Sequence, residues 1–184
     1  NDKAAQERQA KERAEALDIS KRMKDMTVIV TAKGGGAGKL FGSVTNAEIA
    51  EALEKQEGIA LEYEPCEEEI PEIPCDVARM RQVFLNVLDN AAKHGGDGKR
   101  IIASIGLESG QIVVRIRDFG PGIPEEELPH VKMKFYKGSS KARGSGIGLA
   151  VCEEIVTMHG GTITLENAEG GGTLVTISIP TGEE

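Results

Sequence analysis

Three short segments carry the side chains in this sequence that are best suited to bind a nucleotide. In chain order they are Asn86–His94, Asp118–Ile123 and Arg143–Ala150. Glycine clusters such as those in the second and third segments are common turn signals, so each segment alone is a weak indication. Because all three occur in one chain and in this order, they predict a single nucleotide pocket.

Asp118 follows the alternating apolar run Gln111–Arg117, which is typical of a β-strand, so its carboxylate is expected at a strand end. An ionised carboxylate only accepts hydrogen bonds and therefore suits the exocyclic amine of adenine. Gly120 and Gly122 flank Pro121 in a turn whose missing side chains would let a flat base approach the backbone. The alternative is an ordinary Asp-Gly-Pro hairpin turn without a ligand.

A second glycine group, Gly144, Gly146 and Gly148, precedes an apolar pattern at helical spacing. Glycines at a helix N-terminus leave backbone N–H groups and the positive end of the helix dipole exposed, which predicts an anion site, here for phosphates. The spacing differs from that of the dinucleotide-binding fingerprint, and no βαβ unit surrounds it.

Asn86 and Asn90 are four residues apart on a predicted amphipathic helix and therefore lie on one side of it. Two amide oxygens beside bound phosphates are suitable ligands for Mg2+, which prefers oxygen and keeps several waters. The alternative is a pair of solvated polar residues on the outer face of the helix.

The elements expected to position these residues alternate between strands and helices. A helix begins within Asp76–Arg81 and carries the two asparagines, another follows Gly148 and ends at Gly160-Gly161, and Pro124–Glu127 is predicted to start a short helix. The predicted strands are Ala60–Glu64, Arg100–Leu107, Gln111–Arg117, Thr162–Glu166 and Gly172–Pro180. This order predicts an α+β fold, a two-layer sandwich in which helices cover one face of a mixed sheet.

With Phe135–Lys141 as a fourth segment, the chain from roughly Leu61 to Pro180 resembles the histidine-kinase branch of the ATP-binding fold shared with gyrase, Hsp90 and the mismatch-repair ATPase. The resemblance implies that ATP and Mg2+ are the cofactors and that Asn90 holds Mg2+. It also implies that Asn86 and Lys93, the candidate catalytic residues, reach the phosphates and that Asp118 binds adenine.

The same resemblance implies roles for the remaining residues of these segments. Gly120 and Gly122, with Ile123, would shape the base pocket, while Gly144, Gly146 and Gly148, with Leu149, would form the hinge of a mobile lid anchored by Phe135. A basic cluster in that lid would offset the charge of the triphosphate. Its members are Lys132, Lys134, Lys137, Lys141 and Arg143. The alternative is a solvated loop with incidental charge.

The residue four positions before Asn90 distinguishes two branches of this fold. ATP-hydrolysing relatives have a glutamate there, which acts as a general base and activates water. Here the position is Asn86, whose amide cannot take up a proton, so the site is expected to hold ATP for transfer to another nucleophile. His94 replaces an aromatic residue often found at its position and is expected to pack or form hydrogen bonds rather than catalyse.

Charge and cysteine content limit the class of protein. Residues 1–58 contain ten basic and ten acidic side chains, so residues 59–184, with twelve basic and twenty acidic, account for the net charge of −8. An acidic domain of this kind is not a general nucleic-acid binder. The three cysteines lack a CxxC pair and are expected as reduced thiols in a cytoplasmic protein, or in the cytoplasmic part of a membrane-bound sensor. No signal peptide or membrane span is predicted.

Residues 1–58 resemble a different family, the ninth protein of the bacterial large ribosomal subunit. The matching features are a charged helix over Asn1–Lys24, a strand over Met26–Thr31, the glycine-rich loop Gly34–Lys39 and a helix starting at Thr45. In that family the glycine-rich loop and nearby basic residues face ribosomal RNA. The loop is not a P-loop, because its glycine spacing is one residue short and Leu40 follows the lysine. The expected domains are therefore 1–58 and 59–184.

The favoured function is the catalytic domain of a two-component sensor histidine kinase. Its expected partners are a histidine-bearing dimerisation domain and a response regulator, with self-association through residues 1–58 as a further expectation. The chain alone is not expected to phosphorylate itself, because none of its histidines lies in an early His-Glu or His-Asp helix. The alternatives are a ribosomal RNA-binding module in residues 1–58 and an anti-sigma-type serine kinase.

Overall fold

A computed structural model of the chain describes residues 59–64, 68, 70–71, 73–95, 100–134, 136, 138 and 146–182. The charged helix, the strand, the glycine-rich loop and the second helix predicted within residues 1–58 lie outside the described residues, and so does most of the predicted lid.

Five strands form one mixed sheet in the order β1-β2-β3-β5-β4. Strand β1 runs parallel to β2, and the other neighbouring pairs are antiparallel. The strands are β1 (Ala60–Glu64), β2 (Arg100–Glu108), β3 (Gln111–Asp118), β4 (Thr162–Asn167) and β5 (Thr173–Pro180). A parallel pair needs a long crossover, which helix α1 (Val77–His94) supplies.

Helix α1 begins at a side-chain cap and ends in a tight turn. The Asp76 carboxylate accepts a hydrogen bond from the Arg79 N–H at 3.1 Å, which satisfies one of the first-turn donors. At the other end, the Gly95 N–H donates to the Ala91 carbonyl at 2.8 Å. Lys93 and His94 occupy the last turn, where positive charge is favourable next to the negative end of the helix dipole.

The core is aliphatic and lies between the sheet and the two helices. Helix α2 (Gly148–Met158) packs beside α1, and the fully buried side chains include Met80, Ile101, Ile112, Ile155 and Ile177. This arrangement confirms the predicted α+β sandwich. Within the described residues, neither helix is long and apolar enough to cross a membrane.

The short helix predicted at Pro124–Glu127 is not present. The segment forms successive turns instead, in which the N–H of Glu127 donates to Pro124 O and the N–H of His130 donates to Glu127 O, both at 2.8 Å. Only one bond, from Leu128 N–H to Pro124 O at 3.2 Å, has helical spacing. The next residue, Pro129, has no N–H to donate, so the helical ladder cannot continue.

Candidate nucleotide-binding site

Asp118 is the last residue of β3, and only 4% of it is exposed. Its Oδ1 atom accepts the N–H of Gly120 at 2.9 Å and the N–H of Thr173 at 3.1 Å. Both of these hydrogen bonds end on Oδ1, and no described residue donates one to Oδ2. A buried carboxylate that is fixed through one oxygen can offer the other to an amine donor of a ligand.

The loop after Asp118 rests directly on the end of α1. A Cβ atom on Gly120 would collide with His94 O and lie 2.8 Å from the carbonyl carbon of Gly95. In the direction of its missing side chain, Gly120 therefore faces protein backbone, and the access of a base to this glycine stays a prediction. The glycine is needed because two backbone segments touch there.

The turn between β4 and β5 holds the same loop from the other side, and sequence reasoning missed it. The Arg117 Nη2 atom donates to Glu169 O at 2.7 Å, and a Cβ on Gly172, whose φ is +85°, would collide with Asp118 O. Gly172 was predicted only as the first residue of the strand Gly172–Pro180. Three consecutive glycines before a strand are more than a hairpin turn requires, and that excess is the signal that could have found this contact.

Two guanidinium groups lie over the ring of Phe119, which belongs to this loop. The Arg100 and Arg117 Cζ atoms are 4.9 and 4.6 Å from its ring centroid, within the range of cation–π contacts. Arg100 also donates two hydrogen bonds to Glu62, at 2.7 and 2.8 Å. This pairing lowers the pKa of the Glu62 carboxyl and raises that of Arg100, but both side chains are exposed, so the ion pair adds little stability.

The two asparagines of α1 have different surroundings. The side chain of Asn86 lies near the thiol of Cys152, which is fully buried in α2 and donates to Val83 O at 3.7 Å. Burial raises the pKa of Cys152 to about 12, and the neighbouring Asn86 amide opposes that rise, so the thiol stays protonated. Asn90 is half-buried one turn later, and its amide has no hydrogen-bond partner among the described residues. The amide of Asn90 is therefore available to a ligand.

Lys93 and His94 end α1 beside the Asp118 loop. The Lys93 ammonium group forms an ion pair with the Asp89 carboxylate at 2.6 Å, so it would have to leave Asp89 to reach a phosphate. Burial lowers the pKa of His94, while the nearby Asp118 carboxylate opposes that shift. The lowered pKa favours the neutral imidazole.

Helix α2 starts with an open N-terminus. Its N-cap residue, Ile147, makes no side-chain capping hydrogen bond, and this described helix has no acidic residue in its first turn. A Cβ on Gly148 would have no atom of the described residues within 4 Å, and Gly146 has a positive φ of 72°. The first-turn N–H groups have no intrahelical partners, so this end of the helix can accept an anion.

The remaining predicted residues divide into two groups. Leu149 is half-buried in the first turn of α2, whereas several others lie outside the described residues, namely Phe135, Lys137, Lys141, Arg143 and Gly144. The expectation that Lys132 and Lys134 offset triphosphate charge stays a prediction. Lys132 Nζ lies 2.6 Å from a Glu153 carboxylate oxygen of α2, and Lys134 Nζ lies 3.5 Å from one of Glu154.

The described residues include no cluster of three His, Cys, Asp or Glu side chains that could hold a metal ion. A magnesium ion at this site would therefore depend on the amide oxygen of Asn90 together with phosphate and water oxygens. That donor set fits Mg2+, which is usually bound by one or two protein ligands plus substrate phosphates.

Residues 8–71 match the profile of the ribosomal protein L9 C-terminal domain. This match extends past residue 58 and overlaps β1, which pairs with β2 in the sheet described above. The match supports the resemblance of the N-terminal segment. The relatives described next favour neither the RNA-binding module nor the serine kinase as the function of the chain.

Residues 75–183 match the profile of the histidine kinase-, DNA gyrase B-, and HSP90-like ATPases. The signal transduction histidine-protein kinase AfsQ2 of Streptomyces coelicolor is 44% identical over 108 residues, which are 57% of this chain and 20% of AfsQ2. Sporulation kinase D of Bacillus subtilis is 36% identical over 108 residues, 59% of this chain and 21% of that kinase. This chain thus spans about a fifth of the length of these relatives.

Solved structures agree with these matches. The catalytic domain of histidine kinase ThkA superposes with a TM-score of 0.62 and 27% identity, covering 72% of this chain and 87% of that chain. The mycobacterial sensor histidine kinase MprB has a TM-score of 0.63 and 29% identity, covering 76% and 93% of the two chains. The chain therefore belongs to the family of histidine kinase-, DNA gyrase B- and HSP90-like ATPases and contains the ATP-binding domain of a sensor histidine kinase.

Proposed function

We propose that this domain presents the γ-phosphate of Mg-ATP to a histidine on a separate dimerisation domain of a two-component sensor. One observation carries the proposal. The buried carboxylate of Asp118 is fixed through Oδ1 and leaves Oδ2 without a donor among the described residues. A carboxylate held in this way can accept a hydrogen bond from a ligand amine through Oδ2.

At the base end, Oδ2 of Asp118 would accept a hydrogen bond from the exocyclic amine of adenine. Gly120, Gly122 and Ile123 would form the adjoining wall, because the loop is already held in place by α1 and by the β4–β5 turn. Selectivity for adenine would follow from the carboxylate, which repels the carbonyl oxygen that guanine presents at the same position.

At the phosphate end, Asn90 would hold Mg2+, which supplies positive charge to the phosphate oxygens. The open N-terminus of α2, with Gly146 and Gly148, would donate backbone N–H groups to phosphate oxygens. The ammonium group of Lys93 would leave the carboxylate of Asp89 and pair with a phosphate oxygen. Phosphoryl transfer depends largely on such positioning and electrostatics.

Asn86 favours transfer of the γ-phosphate of bound ATP over its hydrolysis. Its amide cannot act as a general base, because it cannot take up a proton. Water is therefore not activated, and ATP is held for another nucleophile. The histidines of the chain do not supply that nucleophile. His159, for example, uses both ring nitrogens, one with Ile155 O at 2.7 Å and the other with the Asp76 N–H at 2.9 Å.

The acceptor histidine and the response regulator that takes the phosphoryl group from it therefore belong to other domains or proteins. The ATP-dependent signalling implied by this function places the domain in the cytoplasm. Its acidic charge makes nucleic acid an unsuitable partner.

We also propose the boundary between the two parts of the chain near residue 58. Ile59 is buried in the core of the kinase domain with 7% exposed, and β1 begins at Ala60.

Half of a ribosomal-protein domain buries too little apolar surface to be stable alone, so residues 1–58 are expected to pack on the kinase domain or on a second copy of the chain. Limited proteolysis followed by mass spectrometry tests this, and rapid loss of residues 1–58 would contradict the packing.

The proposed function is tested by equilibrium binding of a non-hydrolysable ATP analogue with and without Mg2+. We expect magnesium-dependent binding to the parent protein, loss of affinity of about 100-fold or more in Asp118→Asn, and loss of the magnesium dependence in Asn90→Ala. Matched controls are Glu166→Gln, the same carboxylate-to-amide change at an exposed strand position, and Gln82→Ala, which removes an amide two turns earlier on α1.

A folded parent protein that bound no nucleotide would refute the proposal. Equal losses in the control variants would show that the effects are not specific to the site. Incubation with ATP and assay for acid-labile phosphate on the chain should show no phosphorylated histidine, since the acceptor is expected elsewhere.

A further inference from the structure

We infer that Asn167 is a positioning residue for the adenine end of the nucleotide site, through a hydrogen-bonded clamp on the backbone of Ile123. Asn167 is the last residue of β4 and lies 44 positions from Ile123 in the chain. The inference rests on the proposed function, since it assigns a determinant of how the same site holds its base.

The clamp consists of two reciprocal bonds. The Ile123 N–H donates to Asn167 Oδ1 at 2.7 Å, and Asn167 Nδ2 donates to Ile123 O at 2.7 Å. A side-chain amide thus pairs with both polar groups of one residue, as a neighbouring strand would do. Both bonds are short, and asparagine is the side chain that supplies a donor and an acceptor at this length.

Gly122 makes room for this clamp. Its φ is +80°, and a Cβ atom there would lie 2.7 Å from Asn167 Oδ1. The amide of Asn167 therefore occupies the place that a side chain at position 122 would fill. This contact couples a glycine of the base-binding loop to the end of β4.

The loop from Asp118 to Ile123 is consequently fixed at both ends by the β4–β5 hairpin. At its start, Asp118 Oδ1 accepts the N–H of Thr173 at 3.1 Å, and at its end Asn167 holds Ile123. The two hairpin residues face each other as the last pair of the β4–β5 ladder. Removal of the Asn167 amide should release the far end of the loop and leave the Asp118 anchor intact.

The test compares Asn167→Ala and Asn167→Asp with Thr164→Ala, a substitution at an exposed position on the same strand. Binding of Mg-AMPPNP, Mg-ADP and Mg-tripolyphosphate is measured by titration calorimetry on the full chain. Asn167→Ala should weaken both adenine nucleotides about tenfold and change tripolyphosphate affinity less than about twofold, since only the base end moves. Asn167→Asp keeps the acceptor but loses the donor, so it should give an intermediate loss.

A second measurement is independent of nucleotide. Amide hydrogen exchange of Ile123 in the nucleotide-free protein should be slow in the parent and in Thr164→Ala, intermediate in Asn167→Asp and fast in Asn167→Ala. If Gly122→Ala is combined with Asn167→Ala, the two effects on nucleotide affinity should be less than additive, because the second substitution removes the collision.

Nucleotide affinity in Asn167→Ala equal to that of Thr164→Ala would overturn the inference, and so would equal losses for nucleotide and tripolyphosphate. If the parent bound no nucleotide, the proposed function would fail with the positioning role. Slow Ile123 exchange in the parent and fast exchange in Asn167→Ala would then show that the clamp exists but serves another purpose, and unchanged exchange would show that there is no clamp.

Discussion

The two glycine-containing segments of the site differ in what their missing side chains face. At the base end, a Cβ atom on Gly120 or Gly172 would collide with backbone of the protein itself. At the phosphate end, a Cβ on Gly148 would meet no atom within 4 Å in the part of the chain that the structure describes. The same residue type therefore serves internal packing in one segment and open access in the other.

The two ends of the proposed site also differ in how they are held before a ligand binds. The base end is assembled before a ligand arrives, since its loop is held by α1 and by the β4–β5 hairpin. At the proposed phosphate end, the first-turn N–H groups of α2 have no intrahelical partners, so we expect contacts with an anion there. Substitutions at the first end should therefore affect folding, and those at the second should affect mainly ligand affinity.

The largest effect is expected for Asp118→Ala, which leaves the N–H groups of Gly120 and Thr173 without their acceptor. Each unsatisfied buried donor costs about 1–3 kcal/mol, so the free energy of unfolding in urea should fall by about 2–5 kcal/mol. Asp118→Asn keeps the oxygen acceptor and should lose less than about 1 kcal/mol of stability. Equal stability of the two variants would contradict the anchoring role of Oδ1.

Gly120→Ala should come next. Its methyl group would overlap His94 O and lie too close to the backbone of Gly95. Relief of this overlap requires a shift of the end of α1 or of the loop after β3. Overpacking of this kind typically costs about 1–3 kcal/mol of unfolding free energy. Urea unfolding measures it, and a variant as stable as the parent would show that the loop can move away from α1.

Gly148→Ala is the matched change at the open end. Alanine is favoured over glycine in a helix by about 0.5–1 kcal/mol, and no described atom would collide with the methyl group, so stability should stay equal or rise slightly. Affinity for the ATP analogue should fall about tenfold because the methyl group occupies space needed by phosphate oxygens. A loss of stability comparable to that of Gly120→Ala would remove the distinction between the two ends.

The smallest effect concerns His94, at the junction between α1 and the base-binding loop. Burial lowers its folded-state pKa below the usual 6.5, so the unfolded chain binds the proton more readily and stability falls as pH drops below about 6.5. The side chain is partly exposed, which keeps the effect small. Unfolding curves between pH 7.5 and 5.5 should show a shallower pH dependence in His94→Gln than in the parent.

Much of the fold was predictable because its signals are local. Alternating apolar residues located all five strands to within about one residue of their observed bounds, and Asp76 with the apolar spacing located α1. The helix predicted at Pro124–Glu127 was wrong because Pro129, five residues later, interrupts the hydrogen-bond ladder.

The candidate site was predictable in its residue types but not in its contacts. Local sequence patterns predicted that a carboxylate follows a strand, that two amides share one helix side and that glycines precede a second helix. Tertiary structure decided which glycines are packed, that Lys132 bonds to Glu153, and that Asn167 holds Ile123 from 44 positions away. Strand and helix periods depend on neighbouring residues, whereas these contacts depend on how distant segments meet across the sheet, which no local pattern encodes.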